Sequence, residues 1–388
     1  MTPFSAIFVP DELADAVSDH AWLGAMLDAE RALARAEADA GLITADDAAA
    51  VADACDPKLY DAAELAVQAR ASGSPAEPLV RALRAQVGEQ HAAAVHRGAT
   101  AQDIVDSAAM LVARRALKLI DGELAGAADV CARLADEHRH TVMAARTLMQ
   151  QAVPTTFGFK AAGWLVGLVE ARTRLAAVAD SLPAQLGGAA GTLAALGADG
   201  VEVLRLYAAE LGLCEPTVPW HTIRTPVAEL AGALAGAAGA AAKIGGDIVL
   251  LAQTEIGEVA ERDAGPSSTM PHKRNAVGAV LAIACERHAR ANAGILLESV
   301  VQEHERAAGA WQAEWHALST ALTATGGAAA AVRRSLAALD VDADRMRANI
   351  SPDTLSEAAR FGIDAQRPDD YLGSADAFVD RALALHRG

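Results

Sequence analysis

The sequence predicts an all-α protein, and three observations lead to that prediction. Hydrophobic residues make up 52% of the 388 residues, yet alanine dominates them and aromatic residues reach only 4%. Alanine is the best helix former because it loses no side-chain entropy when a helix forms. Runs of β-branched residues are few, and the stretch from Val277 to Ala308 contains no proline.

The N-terminal part carries the first clear helix boundaries. A helix is expected from about Asp19 to Ala40, because Gly41 is a typical residue just past a helix C-terminus. Thr44 is a typical N-cap for the next helix. Shorter helices and a turn rich in glycine and proline follow, so residues 1–98 are predicted to form an N-terminal helical domain.

The central part is predicted to be a long-helix bundle domain, residues 99–344. The expected long helices are about Thr100–His140, Thr155–Ser181, Pro226–Val259 and Val277–Ala308. The last would extend about 45 Å at the rise of an α-helix. Helices this long must bury a stripe along their length, which favours a bundle shared between subunits. Residues 345–388 are predicted to form a short C-terminal helical segment.

Charge and composition exclude several classes of function. The net charge of −17 repels nucleic acid and anionic membrane surfaces. The four cysteines are scattered, which favours free thiols in a reducing compartment. No signal peptide or membrane-spanning helix is expected, so a cytoplasmic protein is predicted.

The first motif that could carry chemistry is the loop 265–275, GPSSTMPHKRN. The hydroxyls of Ser267 and Ser268 precede Lys273 and Asn275, just before a long helix. Backbone amides at a helix start, with lysine and asparagine, suit a carboxylate. A serine among positive groups can act in proton transfer. The alternative is a mobile surface turn.

The second motif is HRGATAQD, residues 96–103. A functional interpretation places His96 and Thr100 at a substrate carboxylate. The alternative is an ordinary helix cap, because Thr100 and Asp103 also form a plausible capping pair.

The third motif is the Thr-x-x-Gln run that ends at Gln150. Its polar residues 147 and 150 are spaced one helical turn apart, and Pro154 suits the start of a new helix. Taken alone, the pattern predicts a helix boundary.

The fourth motif is VQEHER, residues 301–306, followed by Trp311 and Trp315. Its charges, Arg306 among them, fall within a predicted helix. They therefore fit either a solvated helix face or a functional group.

Together these motifs resemble the fumarase/aspartase superfamily and, within it, the 3-carboxy-cis,cis-muconate cycloisomerase family. The resemblance spans nearly the whole chain. It rests on HRGATAQDIVDSA (96–108), QLGGAAGTLAAL (185–196), PWHT (219–222), SSTMPHKRN (267–275), QEHERAAGAWQAEW (302–315) and DDYLGSADAFVDRAL (369–383).

The resemblance implies a homotetramer with a 20-helix core and active sites assembled from three subunits. Ser267 would be the proton-transfer group next to a substrate carboxylate, and His96 would be a second catalytic candidate. Substrate-binding roles would fall to Thr100, Gln150, Ser268, Lys273, Asn275 and Arg306.

The implied reaction is lactonisation of a small polycarboxylate, 3-carboxy-cis,cis-muconate, in aromatic catabolism, without a metal or organic cofactor. Amine-releasing members of the superfamily usually have histidine where Leu148 stands. A carboxylate is a stable anion that needs no proton to leave, so Leu148 favours a lactonising enzyme.

Three departures from the family pattern bear on the substrate: Ala101, Ile223 and Ala276 stand where serine, glutamine and proline are usual. Two alternatives therefore remain open. One is a lyase that releases fumarate from a succinyl compound such as adenylosuccinate, and the other is a non-catalytic relative.

Overall fold

The computed structural model describes residues 5–263, 270 and 273–388. This part of the chain is mainly helical, which confirms the predicted fold class. The helices are α1 (Ser5–Phe8), α2 (Asp11–Ala16), α3 (Asp19–Asp39), α4 (Ala45–Ala54), α5 (Ala62–Gln68), α6 (Ala76–Val87), α7 (Ala101–Glu137), α8 (Phe157–Ser181), α9 (Gly200–Leu211), α10 (Thr225–Leu251), α11 (Val277–Glu298), α12 (Ala310–Ala337), α13 (Ala343–Ala348), α14 (Ser356–Arg360) and α15 (Ala375–Arg387). Short strands are β1 (Val142–Thr147), β2 (Gln150–Thr156), β3 (Val259–Glu261) and β4 (Leu339–Val341).

Five long helices, α7, α8, α10, α11 and α12, form a bundle around one hydrophobic core. Helix α11 packs between α10 and α12, while α7 packs on α8 and α12. Alanine lines many of these contacts, so the helix backbones approach closely. Gly245 of α10 marks such a contact, because an added Cβ would lie 2.8 Å from the carbonyl oxygen of Ala279. Helix α3 packs across α7 and α9.

The helix boundaries predicted near the N-terminus are confirmed. Helix α3 ends where Gly41 takes a left-handed conformation, φ +76°. Its closing bond runs from the amide of Leu42 to the carbonyl of Glu37, 2.8 Å. Helix α4 begins with a capping box, in which the amide of Asp47 donates to the Thr44 hydroxyl at 3.1 Å.

The helix predicted to start at about Thr155 is confirmed as α8, which begins at Phe157, but the helical-turn spacing expected for residues 147 and 150 is wrong. Strands β1 and β2 pair antiparallel as a hairpin, with Thr147 opposite Gln150. The two turn residues, Leu148 and Met149, have φ of 49° and 66°. Two-residue hairpin turns of this kind are usually indicated by Asn-Gly, so the Leu-Met sequence did not predict a turn. Helix α8 starts after the hairpin, where Thr156 accepts a hydrogen bond from the amide of Phe159 at 3.1 Å.

Two of the long helices are shorter than expected. Helix α10 ends at Leu251 rather than Val259, and α11 ends at Glu298 rather than Ala308. With 22 residues, α11 extends about 33 Å, not about 45 Å. Residues 299–309 leave the helix, and Gln302 and Arg306 among them make partly buried polar contacts with distant residues.

Helix α10 is the one described helix long and apolar enough to cross a membrane by length and composition alone. It lies in the bundle core, packed on α8, α11 and α12. At four glycines of α10, a Cβ atom would have no atom of the described residues within 4 Å: Gly232, Gly236, Gly239 and Gly246. These four fall on one side of the helix, because their spacings are three, four and seven residues.

Candidate active site

Asp103, in the first turn of α7, holds three of the resemblance motifs together. Its buried carboxylate accepts hydrogen bonds from the amides of Thr100, Gly187 and Gly188, each at 2.9 Å. The Nε2 atom of His221 lies 2.7 Å from the same carboxylate. The predicted capping role is thus part of a larger one, since this side chain joins residues 96–103 to the QLGG and PWHT segments.

One helical turn along α7, Asp106 anchors a second buried network. Both of its oxygens bond the guanidinium of Arg224, at 2.7 and 3.0 Å, and Trp311 Nε1 donates to it at 2.9 Å. Arg224 also pairs with Glu314 and stacks 4.6 Å from the Trp220 ring centre. Burial disfavours a charged guanidinium, but Asp106 and Glu314 outweigh it and raise the pKa of Arg224. This bidentate pairing keeps the ends of α7, α10 and α12 together.

The segment 299–309, predicted as helix, is a loop that closes over these networks. Arg306 donates to Gln102 Oε1 at 3.1 Å and to the carbonyls of Gly188 and Ala189 at 3.2 and 3.0 Å. Gln302 donates to Glu314 at 2.9 Å. Arg306 therefore lies beside the first turn of α7 with its guanidinium already engaged with protein oxygens, and its substrate-binding role stays a prediction.

His96 stands in a left-handed backbone conformation, φ 59°, just before α7. Its Nδ1 lies 2.6 Å from Oε1 of Glu30, whose side chain is fully buried. Burial opposes charge on the ring, yet the Glu30 carboxylate outweighs it and raises the pKa of His96.

A cleft of about 510 Å³ opens beside this turn. His96, Thr100 and Ala101 form one wall, and α6 forms the other with Arg81 and Arg84. Glu77 also lines the cleft and pairs with Arg81 at 2.8 Å, so His96 and Arg84 are the groups that suit an anionic ligand. Two predicted site residues thus share one cavity.

Gln150 lies elsewhere, exposed on the β1–β2 hairpin beyond the far end of α7. The tip residues Leu148 and Met149 are 97% and 68% exposed, which is unusual for large apolar side chains. Arg146 fixes the hairpin base through two bonds of 2.6 and 3.0 Å to the buried carboxylate of Glu258.

Ser267 and Ser268 lie outside the described residues. Lys273 and Asn275 are described: Lys273 is exposed, and Asn275 is half-buried just before α11. The amides at this helix start do bind a carboxylate, but it is one of the protein's own, so these two amides are not free for a substrate. The Glu261 carboxylate accepts from the amides of Gly278 and Ala279, each at 3.0 Å.

The predicted site residues therefore fall at two ends of one bundle. His96, Thr100 and Arg306 gather at the start of α7. Lys273 and Asn275 precede α11, whose first turn packs against the last turns of α12. Helix α12 begins beside Asp106 and runs 28 residues, which is about 42 Å.

Sequence reasoning missed Glu30 and Arg224. Glu30 has a detectable signal, because it falls on the apolar face of α3 with Leu23, Leu27 and Leu33. A carboxylate in such a stripe indicates a buried partner. Arg224 directly follows the PWHT motif and its Ile223, but its partners are distant in sequence and leave no local signal.

The sequence and the fold are similar to those of known proteins. A family model described as lyase matches residues 9–287. The chain is 47% identical to nitrosuccinate lyase from Streptomyces davaonensis, over 86% of this chain and 74% of the relative. It is 44% identical to 3-carboxy-cis,cis-muconate cycloisomerase from Pseudomonas aeruginosa, over 99% of this chain and 96% of the relative. The crystal structure of the 3-carboxy-cis,cis-muconate lactonizing enzyme from Pseudomonas putida superposes with a TM-score of 0.92 at 36% identity, covering 100% and 99% of the two chains.

Proposed function

Because the chain belongs to the lyase family of the fumarase/aspartase superfamily, we propose that it is a cycloisomerase that lactonises 3-carboxy-cis,cis-muconate. The product would be 4-carboxymuconolactone, in the protocatechuate branch of the β-ketoadipate pathway.

The observation that carries this proposal is similarity to cycloisomerases over the full length of both proteins. The aligned cycloisomerase from Pseudomonas aeruginosa is covered to 96%, and the superposed lactonizing enzyme to 99%. The nitrosuccinate lyase is slightly more identical but is covered to only 74%. Similarity over whole chains includes the loop 299–309 and the C-terminal helix α15, which both lie outside residues 9–287, the part matched by the family model.

The proposed reaction adds one substrate carboxylate across a carbon–carbon double bond. The carboxylate oxygen bonds to one alkene carbon, and the alkene electron pair moves to the neighbouring carbon next to a second carboxylate. The Ser267 hydroxyl then gives its proton to that carbon and takes up a proton from solvent, so the serine is restored and the reaction consumes the one proton that the substrate carboxyl had lost on ionisation. No atom is lost, so the step is an isomerisation.

The charge that develops on the second carboxylate must be held by preorganised donors. Lys273 and Asn275 are the proposed donors on the loop side, and His96 and Thr100 are those on the cleft side. Because Glu261 already caps α11, the lysine ammonium carries this role in place of the helix amides.

The leucine at position 148 favours a reaction whose leaving group needs no proton. It occupies the tip of a well-formed hairpin whose base is fixed by Arg146 and Glu258, so the tip is a defined structure. In the reverse, ring-opening direction the lactone oxygen leaves as a carboxylate. A leucine at this place is compatible with that chemistry and provides no acid for an amine.

We further propose a homotetramer whose sites combine residues of different subunits. In one chain, Lys273 and His96 lie at opposite ends of the bundle, too far apart to contact one small substrate. The side of α10 that carries Gly232, Gly236, Gly239 and Gly246, here called the glycine face, has no described neighbour at these positions. This suits close packing against helices of other copies. The exposed Leu148 tip has a place in such an assembly, because another copy would cover it.

A second candidate is elimination of nitrite from nitrosuccinate, which would leave fumarate. The 47% identity to nitrosuccinate lyase favours it over other succinyl substrates. Nitrite is also a stable anion, so Leu148 does not separate the two reactions.

A parallel assay separates them. Purified protein is given 3-carboxy-cis,cis-muconate while the ultraviolet absorbance of the diene is followed, and nitrosuccinate and adenylosuccinate while fumarate is measured. We expect loss of the diene absorbance and no fumarate, with turnover abolished in Ser267→Ala at unchanged oligomeric state. Fumarate release with no change in the diene would establish the lyase instead, and no turnover in either arm would indicate a non-catalytic relative.

A further inference from the structure

The ring of His96 is held by a carboxylate that comes from a different helix. Glu30 lies in the middle of α3, and its Oε1 is 2.6 Å from the Nδ1 of His96. The Glu30 side chain is 0% exposed, and that of His96 is 14% exposed. The pair therefore lies behind the cleft wall, with the carboxylate on the protein side of the ring.

Glu30 has no second hydrogen-bond partner within the described ranges, since its Oε2 is buried and unbonded. Taking a carboxylate out of water is costly, and a single pairing rarely recovers the whole cost. Stability alone therefore gives a poor reason for this residue. Its described hydrogen bonding is devoted to one imidazole.

Engagement of Nδ1 leaves Nε2 as the ring nitrogen available to a ligand in the cleft. Charged groups face the ring from three helices: Glu30 of α3 and Asp103 of α7 favour its protonated form, and Arg84 of α6 opposes it. The two carboxylates prevail, because the pKa of His96 is raised despite burial. An imidazolium donates from both nitrogens.

We propose that Glu30 is the positioning residue of His96: it binds Nδ1 and keeps the ring cationic, so that Nε2–H is presented to a substrate carboxylate. This inference rests on the proposed function for the identity of that carboxylate. It gives His96 the role of a fixed hydrogen-bond donor and leaves proton transfer to Ser267.

Histidine nuclear magnetic resonance tests the pairing independently of turnover. The His96 signal is assigned as the one missing in His96→Gln and is titrated in the wild type, Glu30→Gln and Glu30→Asp. We expect a His96 pKa above that of an ordinary histidine in the wild type, lowered by about one unit or more in Glu30→Gln. Glu30→Asp retains the charge, so it should keep most of the shift and also serves if Glu30→Gln does not fold.

The matched control is the neighbouring pair of His91 and Asp47, joined through Nδ1 at 2.8 Å but outside the residues that line the cleft. Asp47→Asn should leave the His96 titration and turnover unchanged. In Glu30→Gln, kcat/KM for 3-carboxymuconate should fall about tenfold or more. The pH at which kcat/KM declines on the alkaline side of its pH profile should shift to a lower value, together with the His96 pKa.

The inference would be overturned if His96 had the same pKa in the folded wild type and in folded Glu30→Gln, whether or not the variant lost turnover. If the titration shifts as expected while the wild type lactonises nothing, the pairing is supported and the proposed function fails.

Discussion

At the scale of single residues, the two buried carboxyl groups of α3 are accommodated in different ways. Glu30 is paired with His96, whereas Glu37 is 0% exposed and neither of its oxygens is hydrogen-bonded within the described residues. Burial raises the pKa of Glu37 to about 8, against the opposing charge of Arg97. The carboxyl is therefore neutral in the folded protein at pH 7, and a neutral group is cheaper to bury.

The Glu37 pKa predicts how stability depends on pH. Between pH 4.5, the ordinary value of this carboxyl, and about 8, the folded state holds a proton that the unfolded chain has lost. Stability contributed by this group is therefore complete below the lower value and is lost as pH rises through the higher one. Glu37→Gln removes the titration, so the margin between its melting temperature and that of the wild type should move in favour of the variant from pH 5 to pH 8.5. A margin that stays constant across this range would show that Glu37 titrates normally.

At the scale of elements, sequence reasoning recovers what local physics determines. Helix α3 and the start of α4 follow from Gly41 and Thr44, because caps are local. The hairpin at Leu148 and the end of α11 were missed because distant partners define them. Arg146 meets Glu258 across 112 positions, and Arg306 meets Gln102 across 204.

The candidate site follows the same division. The motifs identify His96, Thr100 and Arg306, and the structure places them together at the start of α7. The Glu30 partner of His96 comes from 66 positions away, a separation that residue spacing does not reveal.

The contact between α10 and α11 gives a test at this scale. In Gly245→Ala the new methyl would meet the backbone oxygen of Ala279 at 2.8 Å, where neither helix can yield without moving. We expect a loss of about 1–3 kcal/mol in the free energy of unfolding, measured in urea. Gly122→Ala on α7 is the control, because no atom of the part of the chain that the structure describes lies within 4 Å of the new Cβ. Alanine should stabilise that helix by about 0.5–1 kcal/mol. Equal effects of the two changes would contradict the close contact.

At the scale of the whole molecule, one chain separates groups that the proposed reaction needs together. The cleft with His96 lies at one end of α12, and Lys273 lies near its other end. In the proposed homotetramer, the exposed hairpin tip and the glycine face of α10 would contact other subunits. The proposed lactonisation therefore depends on oligomerisation.

The measurement that tests the central claim most directly is recovery of activity from two inactive variants. His96→Gln and Ser267→Ala are prepared alone and coexpressed in equal amounts, and loss of the 3-carboxymuconate diene absorbance is followed. If each site takes His96 and Ser267 from different subunits, random assembly leaves about a quarter of the sites intact, so activity should return to about a quarter of the wild-type value. Each variant alone should stay inactive. A coexpressed sample that assembles but does not consume the diene would contradict shared sites, and a wild type that forms no lactone would contradict the function.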